Sequence, residues 1–210
     1  AYGKSDVGMR RKSNEDCYLV DETLGLYLVC DGMGGHEGGE IAAQDASLAV
    51  RDYLNEHVGE LAELTESGNV ESIQDLVVRA VQHASRVVLA DAEKFQMINM
   101  GTTLTLLLKV DDRAVIASVG DSRAYHCRRD EATLLTTDHT LANEMLISGE
   151  FTPQEARDSP YNHYLTRVVG YEPDVQVDTL VAHLVPGDVF LLCTDGLTNY
   201  FESDHELGKF

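Results

Sequence analysis

Two rhythms of apolar and polar positions divide the chain. Leu26 to Cys30 is an apolar run too short for a helix, so residues 17 to 30 read as two short strands, Cys17 to Asp21 and Gly25 to Cys30, turned at Glu22 to Leu24. Glu40 to Glu56 then takes helical spacing, with Ile41, Ala42, Leu48, Ala49 and Tyr53 on or near one face. Gly59 to Gly68 is acidic and poorly patterned, and it is expected to be a connector. The clearest element follows: Ile73, Leu76, Val77, Ala80, Val81, Ala84, Val87 and Val88 keep the i, i+3, i+4, i+7 spacing of an amphipathic helix, with Asn69 placed as its N-cap.

From Thr102 the pattern turns to strands. Thr102 to Val110 and Arg113 to Val119 flank an Asp111-Asp112 turn, and Ala124 to Arg128 follows another turn. Strands joined in direct succession pair antiparallel, since a parallel pair needs a long crossover. Residues 139 to 170 have little strand character; Leu141 to Ile147 and Pro153 to Arg157 read as short helices within a lid or flap. Val175 to Leu184 and Val189 to Cys193 return to strand. The sum is an α+β class, most simply two packed sheets with helices outside.

Composition narrows the function. The 210 residues suit one domain. Thirty-six acidic residues against 16 basic ones leave a formal charge of −20, which opposes binding to nucleic-acid phosphate or anionic lipid. Four cysteines without CxxC spacing fit a reducing compartment and argue against a zinc ribbon or a disulfide scaffold. No run approaches the ~18 to 20 apolar residues of a membrane span, and no secretory signal opens the chain.

Candidate chemistry sits at strand ends. The strand ending at Cys30 is followed by Asp31 and then by five glycines in the eight residues 32 to 39. Val189 to Cys193 likewise leads through Thr194 to Asp195-Gly196, and Val115 to Val119 to Gly120-Asp121. Each aspartate taken singly is equally a turn residue. If the three strand ends are neighbours in one sheet, Asp31, Asp121 and Asp195 form an acidic cluster that would repel itself without a cation. An all-oxygen donor set favours Mg²⁺ or Mn²⁺ over Zn²⁺. Near the start, Arg10, Arg11 and Lys12 precede Glu15 and Asp16. They form either a phosphate-binding fork or a solvated terminal arm. No EF-hand spacing supports a calcium-binding module.

Six motifs occur in order: Ser-Asp-x-Gly-x-x-Arg-x-x-Asn-x-Asp at 5 to 16, Asp-Gly-Met-Gly-Gly-His at 31 to 36, Gly-Thr-Thr at 101 to 103, Gly-Asp-Ser-Arg at 120 to 123, Asp-His-Thr at 138 to 140 and Thr-Asp-Gly-Leu at 194 to 197. Together they resemble the metal-dependent protein phosphatases, the type 2C serine/threonine phosphatases, in their bacterial form. The resemblance runs from residue 5 to about residue 200. It implies a single domain over residues 1–210 with a central antiparallel β-sandwich flanked by helix pairs, a four-layer α-β-β-α arrangement.

The activity implied is hydrolysis of phosphoserine and phosphothreonine by a water or hydroxide bridging two Mn²⁺ or Mg²⁺ ions, with a possible third ion. Asp31 would bridge the ions and the Gly32 carbonyl would bind one. Asp195 would ligate the other, with Glu15 and Asp16 acting directly or through water. Asp121 and Asp195 would share the third position, and Arg11 would hold the substrate phosphate. Many eukaryotic relatives carry a histidine proton donor where this chain has Met33; His36 is a weak substitute. Residues from about 140 to 165 would form the flap. Phosphoproteins, and a Ser/Thr kinase acting on the same targets, are the partners implied, in the cytoplasm. The family's later Gly-x-Asp-Asn motif does not occur after Asp195, so the metal site and the last sandwich strands are expected to be incomplete in this chain. The alternative is a pseudophosphatase, a non-catalytic phosphoprotein-binding module of the same fold.

Overall fold

A computed structural model describes residues 1–9, 13–34, 37–129, 131–201 and 207. In chain order, β1 (Asp16–Asp21) and β2 (Leu26–Met33) are followed by α1 (Glu37–Glu56), α2 (Val58–Ser67) and α3 (Val70–Phe95). Next come β3 (Gly101–Thr102), β4 (Leu104–Val110), β5 (Arg113–Val119), β6 (Arg123–Arg128) and β7 (Glu131–Leu134). The segment before β8 (Asp178–His183) and β9 (Val189–Cys193) carries α4 (Leu141–Ile147), α5 (Pro153–Asp158) and a 3-10 turn at Pro160–His163; α6 (Asp195–Thr198) comes last.

The strands form two antiparallel sheets. The larger has the order β1-β2-β4-β5-β8, with β3 paired to the end of β2; the smaller has the order β7-β6-β9. Three apolar layers hold them. Small residues of α1 (Ala42, Ala43, Ala46) let that helix lie close on the large sheet, where Val50, Leu54 and the α3 stripe Ile73 to Val88 complete the main core. Leu107, Ala114 and Ile116 of the large sheet meet Ala124, Phe190 and Leu192 of the small one. Tyr125, Cys193 and Leu207 pack with Leu191 and Phe201 on the outer face of the small sheet. Beside β1 and β9 the sandwich opens into a largely apolar cleft of about 1180 Å³, lined by Tyr18, Val20, Tyr27, Val29 and Phe190, with Asp16 and Thr194 also on its wall.

Local chemistry accounts for the element boundaries. Asp21 Oδ1 accepts from the N–H groups of Thr23 and Leu24, both at 3.0 Å, which turns β1 into β2. Asn69 Oδ1 accepts from Ser72 N–H at 3.2 Å and caps α3, as the sequence predicts. The expected connector at Gly59 to Gly68 is instead helix α2. Leu61 is buried, Leu64 packs on the core, Glu60 pairs with Arg79 of α3, and Gly68 closes the helix at φ +68. Tertiary burial of two leucines outweighs the weak local pattern. Strand β7 was not expected; it is four residues long and pairs with β6. Strand β8 is shorter than the run Val175 to Leu184.

Candidate metal centre

Strand register brings the first two carboxylates together. Gly32 N–H donates to the Glu15 carbonyl at 3.0 Å, so 15 and 32 are a hydrogen-bonded pair and their neighbours Asp16 and Asp31, directly opposite in the β1–β2 ladder, are a non-hydrogen-bonded one. Side chains stand closest at such a pair. Alternation sends Cys17 and Cys30 to the helix side, where both belong to the main core, and Asp16 and Asp31 to the sandwich side.

The third carboxylate arrives from the other sheet. Strand β9 runs beside β6, with Arg123 opposite Cys193, and delivers Asp195 just beyond its end. Thr194 Oγ1 donates to Asp16 Oδ2 at 3.2 Å, tying this strand end to β1. Asp121 lies on the crossover from β5 in the large sheet to β6 in the small one. The sequence expectation of neighbouring ends in one sheet is corrected here: the aspartates meet because two sheets face each other.

Their proximity is visible in their acidity. Burial, then the charges of Asp16 and Asp195, a side-chain hydrogen bond with Asp195 and the charge of Asp121, push the Asp31 carboxyl up to about 8. Burial and the charges of Asp195 and Asp138 raise Asp121 to about 6. Among the described residues, no three His, Cys, Asp or Glu side chains close into a ligand-spaced cage. Carboxylates crowded around Asp31, with oxygen donors alone, nevertheless fit a hard divalent cation, which would hold the Asp31 carboxyl in its charged form.

Two glycines make room for the backbone. A Cβ on Gly32 would sit 1.9 Å from the Gly39 carbonyl oxygen and 2.8 Å from that of Glu15. One on Gly39, in the first turn of α1, would meet the Glu15 carboxyl carbon at 3.1 Å. The glycine run therefore seats α1 against the end of β2, with Glu15 beside it. Met33 is the last residue of β2, and its Sδ lies 4.0 Å from the Tyr171 hydroxyl. Arg11 and His36 lie outside the described residues.

The motifs also contain a buried polar scaffold whose roles the sequence left unassigned. Thr103 N–H donates to the Asp31 carbonyl at 2.9 Å, and Asp31 N–H donates to Thr103 Oγ1 at 2.9 Å. Thr103 Oγ1 lies 2.8 Å from Ser122 Oγ, and Thr105 Oγ1 donates to the Ser122 carbonyl at 2.7 Å. Arg123 holds Asp138 in a bidentate pair, 2.9 Å from Nε to Oδ1 and 2.6 Å from Nη2 to Oδ2. Thr102, Thr103, Thr105 and Ser122 are almost fully buried, and hydroxyls in or beside apolar strand runs are the signal that could have marked them.

Comparison with known proteins identifies the family and the fold. The family model described as Protein phosphatase 2C matches residues 10–210. The serine/threonine phosphatase stp of Listeria innocua is 36% identical over 200 residues, covering 93% of this chain and 77% of the relative. Protein phosphatase PhpP of Streptococcus pneumoniae is 33% identical over 198 residues, with the same coverage. Among solved structures, the Mycobacterium tuberculosis serine/threonine phosphatase PstP/Ppp aligns over 97% of this chain and 81% of its own, with a TM-score of 0.82 and 31% identity. The catalytic domain of PstP in complex with two manganese ions aligns over 96% and 79%, with a TM-score of 0.76 and 30% identity. The chain therefore belongs to the protein phosphatase 2C family, in its bacterial form.

Proposed function

We propose that this protein phosphatase hydrolyses phosphoserine and phosphothreonine in proteins at the carboxylate cluster of Asp16, Asp31, Asp121 and Asp195. The observation that carries the reading is the convergence of these side chains from both sheets, which raises Asp31 to about 8. In this reading Asp31 and the Gly32 carbonyl hold a pair of divalent ions together with Asp195. Glu15 and Asp16 contribute directly or through water, and Asp121 with Asp195 provides a weaker third position. A pair of Mn²⁺ or Mg²⁺ ions, when bound, supplies a water acidic enough to act as nucleophile near neutral pH and offsets phosphoryl charge. Arg11 presents its guanidinium fork to the substrate phosphate and orients it for in-line attack. Met33 has no proton to give, so the leaving oxygen takes its proton from elsewhere.

A non-catalytic module would have no need to keep so costly an arrangement of carboxylates, and the named relatives favour the enzyme. A kinase acting on the same phosphoproteins and a cytoplasmic setting complete the proposal; no described helix is long and apolar enough to cross a membrane.

The test measures turnover of p-nitrophenyl phosphate and of a phosphothreonine peptide with and without Mn²⁺, for the wild type and Asp31→Asn. Mn²⁺-dependent turnover of the peptide that disappears in the variant is expected. Turnover that ignores Mn²⁺, or survives Asp31→Asn, would overturn the proposal.

A further inference from the structure

The turn that carries Asp121 is gripped by a residue outside the proposed ligand set. Gly120 N–H donates to His139 Nδ1 at 3.1 Å, and His139 N–H donates to the Gly120 carbonyl at 2.9 Å. Gly120 sits at φ +99, and a Cβ there would lie 2.6 Å from Thr103 Cγ2. Its conformation is thus set jointly by Thr103 and by His139.

The ring is buried, with its side chain only 4% exposed, and both nitrogens are engaged. Because Nδ1 accepts from Gly120, the partners assign the ring proton to Nε2, which faces Asp178 Oδ2 at 3.2 Å. Arg167 Nη1 donates to Asp178 Oδ1 at 2.5 Å and lies 3.1 Å from Nε2. Burial holds the imidazole below its ordinary value, in keeping with a neutral ring.

His139 also stands at the neck of the flap. Thr166 N–H donates to its carbonyl at 2.9 Å, Thr140 pairs with Leu165, and Leu141 N–H donates to the Tyr164 carbonyl at 2.9 Å. The chain leaves for the flap and returns from it at this one residue.

We infer that His139 is a positioning residue: it sets the Gly120–Ser122 turn so that Asp121 meets its metal ion, and it joins that turn to the base of the flap. The inference rests on the reading of Asp121 as a metal carboxylate. A side chain that only filled space would need neither a matched acceptor for Gly120 nor a carboxylate partner on its far nitrogen. Residues that orient a ligand through such hydrogen bonds cost about 10- to 100-fold in metal affinity when removed.

The experiment is calorimetric Mn²⁺ titration of the whole chain in four forms: wild type, His139→Ala, His139→Asn and Asp121→Asn. The Mn²⁺ dependence of p-nitrophenyl phosphate turnover is followed in parallel. Asp121→Asn should weaken the lower-affinity Mn²⁺ event. His139→Ala should weaken the same event about 10- to 100-fold and raise the Mn²⁺ needed for half-maximal turnover by more than it lowers kcat. An asparagine amide oxygen can take over the Gly120 hydrogen bond, so His139→Asn should recover most of that loss. Should His139→Ala lose its thermal transition, Asp178→Ala, at a half-exposed side chain, carries the same expectation at about 10-fold, the low end of that range. Wild-type Mn²⁺ binding in His139→Ala, or in Asp178→Ala where that is the variant that folds, overturns the inference, as does an asparagine variant no better than alanine. Unchanged binding in Asp121→Asn would instead overturn the ligand reading beneath it.

Discussion

Asp16 and Asp31 face each other across the β1–β2 ladder at a position where no hydrogen bond joins their backbones. Like charges directly opposite in a sheet are destabilising, and here burial sharpens the repulsion. The protein therefore holds its first two candidate ligands together at a cost that a bound cation would offset.

Asp31→Asn removes a carboxyl that the metal-free fold must keep protonated although it ionises in the unfolded chain. With chelator present, the variant should melt about 2–4 °C above the wild type, corresponding to roughly 1 kcal/mol for a chain of this size. Added Mn²⁺ should raise the wild-type melting temperature and leave the variant almost unmoved. Scanning fluorimetry in EDTA and in Mn²⁺ reads both effects; a variant that melts lower in EDTA would mean that Asp31 is structurally stabilising.

Gly32→Ala tests the seat of α1. Its methyl would overlap the Gly39 carbonyl oxygen, so backbone must move. Overpacking of this kind costs about 1–3 kcal/mol or more, and the expected outcome is the high end of that range with loss of Mn²⁺ binding. Chemical denaturation compared with Gly59→Ala, where nothing lies within 4 Å of the added atom, separates crowding from a general glycine effect.

Thr103→Val keeps the shape and deletes one hydroxyl. Asp31 N–H and the Ser122 hydroxyl each lose a buried partner, at a cost of about 1–3 kcal/mol. Urea unfolding should show that loss. Mn²⁺ affinity should fall as well, because the same hydroxyl links the Asp31 strand to the Asp121 turn.

Acid stability should depend on Asp188, far from the metal centre. Hydrogen bonds from Arg128, at 2.7 Å and 2.9 Å, hold its carboxyl well below the usual carboxylate range. A depressed native pKa contributes stability that is present above the unfolded value, near 3.9, and is lost as pH falls below it toward the native value. Melting curves of the wild type and Asp188→Asn should differ by a constant amount from pH 7 to about 5, and the difference should narrow progressively as pH falls below about 4. A gap that does not narrow at all between about pH 4 and pH 2 would assign the difference to packing.

Much of the fold was legible in the chain. The α3 stripe, the Asn69 cap, helix α4 and strand β9 follow from period and turn chemistry, and they are found where the pattern puts them. Helix α2 was missed because its burial rests on Leu61 and Leu64 alone, too few positions for a pattern. The short strand β7 was missed because four residues give no recognisable period. Asp31, Asp121 and Asp195 could be named as strand-end carboxylates from the sequence. Thr103, Ser122 and His139 could be quoted within motifs but given no task, because their partners lie 17 or more residues away.

What the sequence by itself determined is local: which longer segments extend or coil, and that a carboxylate stands near the end of three strands, although β2 runs on through Asp31 to Met33. Backbone sterics and burial period act over a few residues, so a few residues are enough to read them. Only the tertiary structure decided that Asp16 stands against Asp31, that Asp195 approaches from the opposite sheet, and that the neck of the flap bonds to the Asp121 turn. Those relations depend on register and on the packing of one sheet over another, and both are set by contacts between distant residues that leave no periodic mark on the chain.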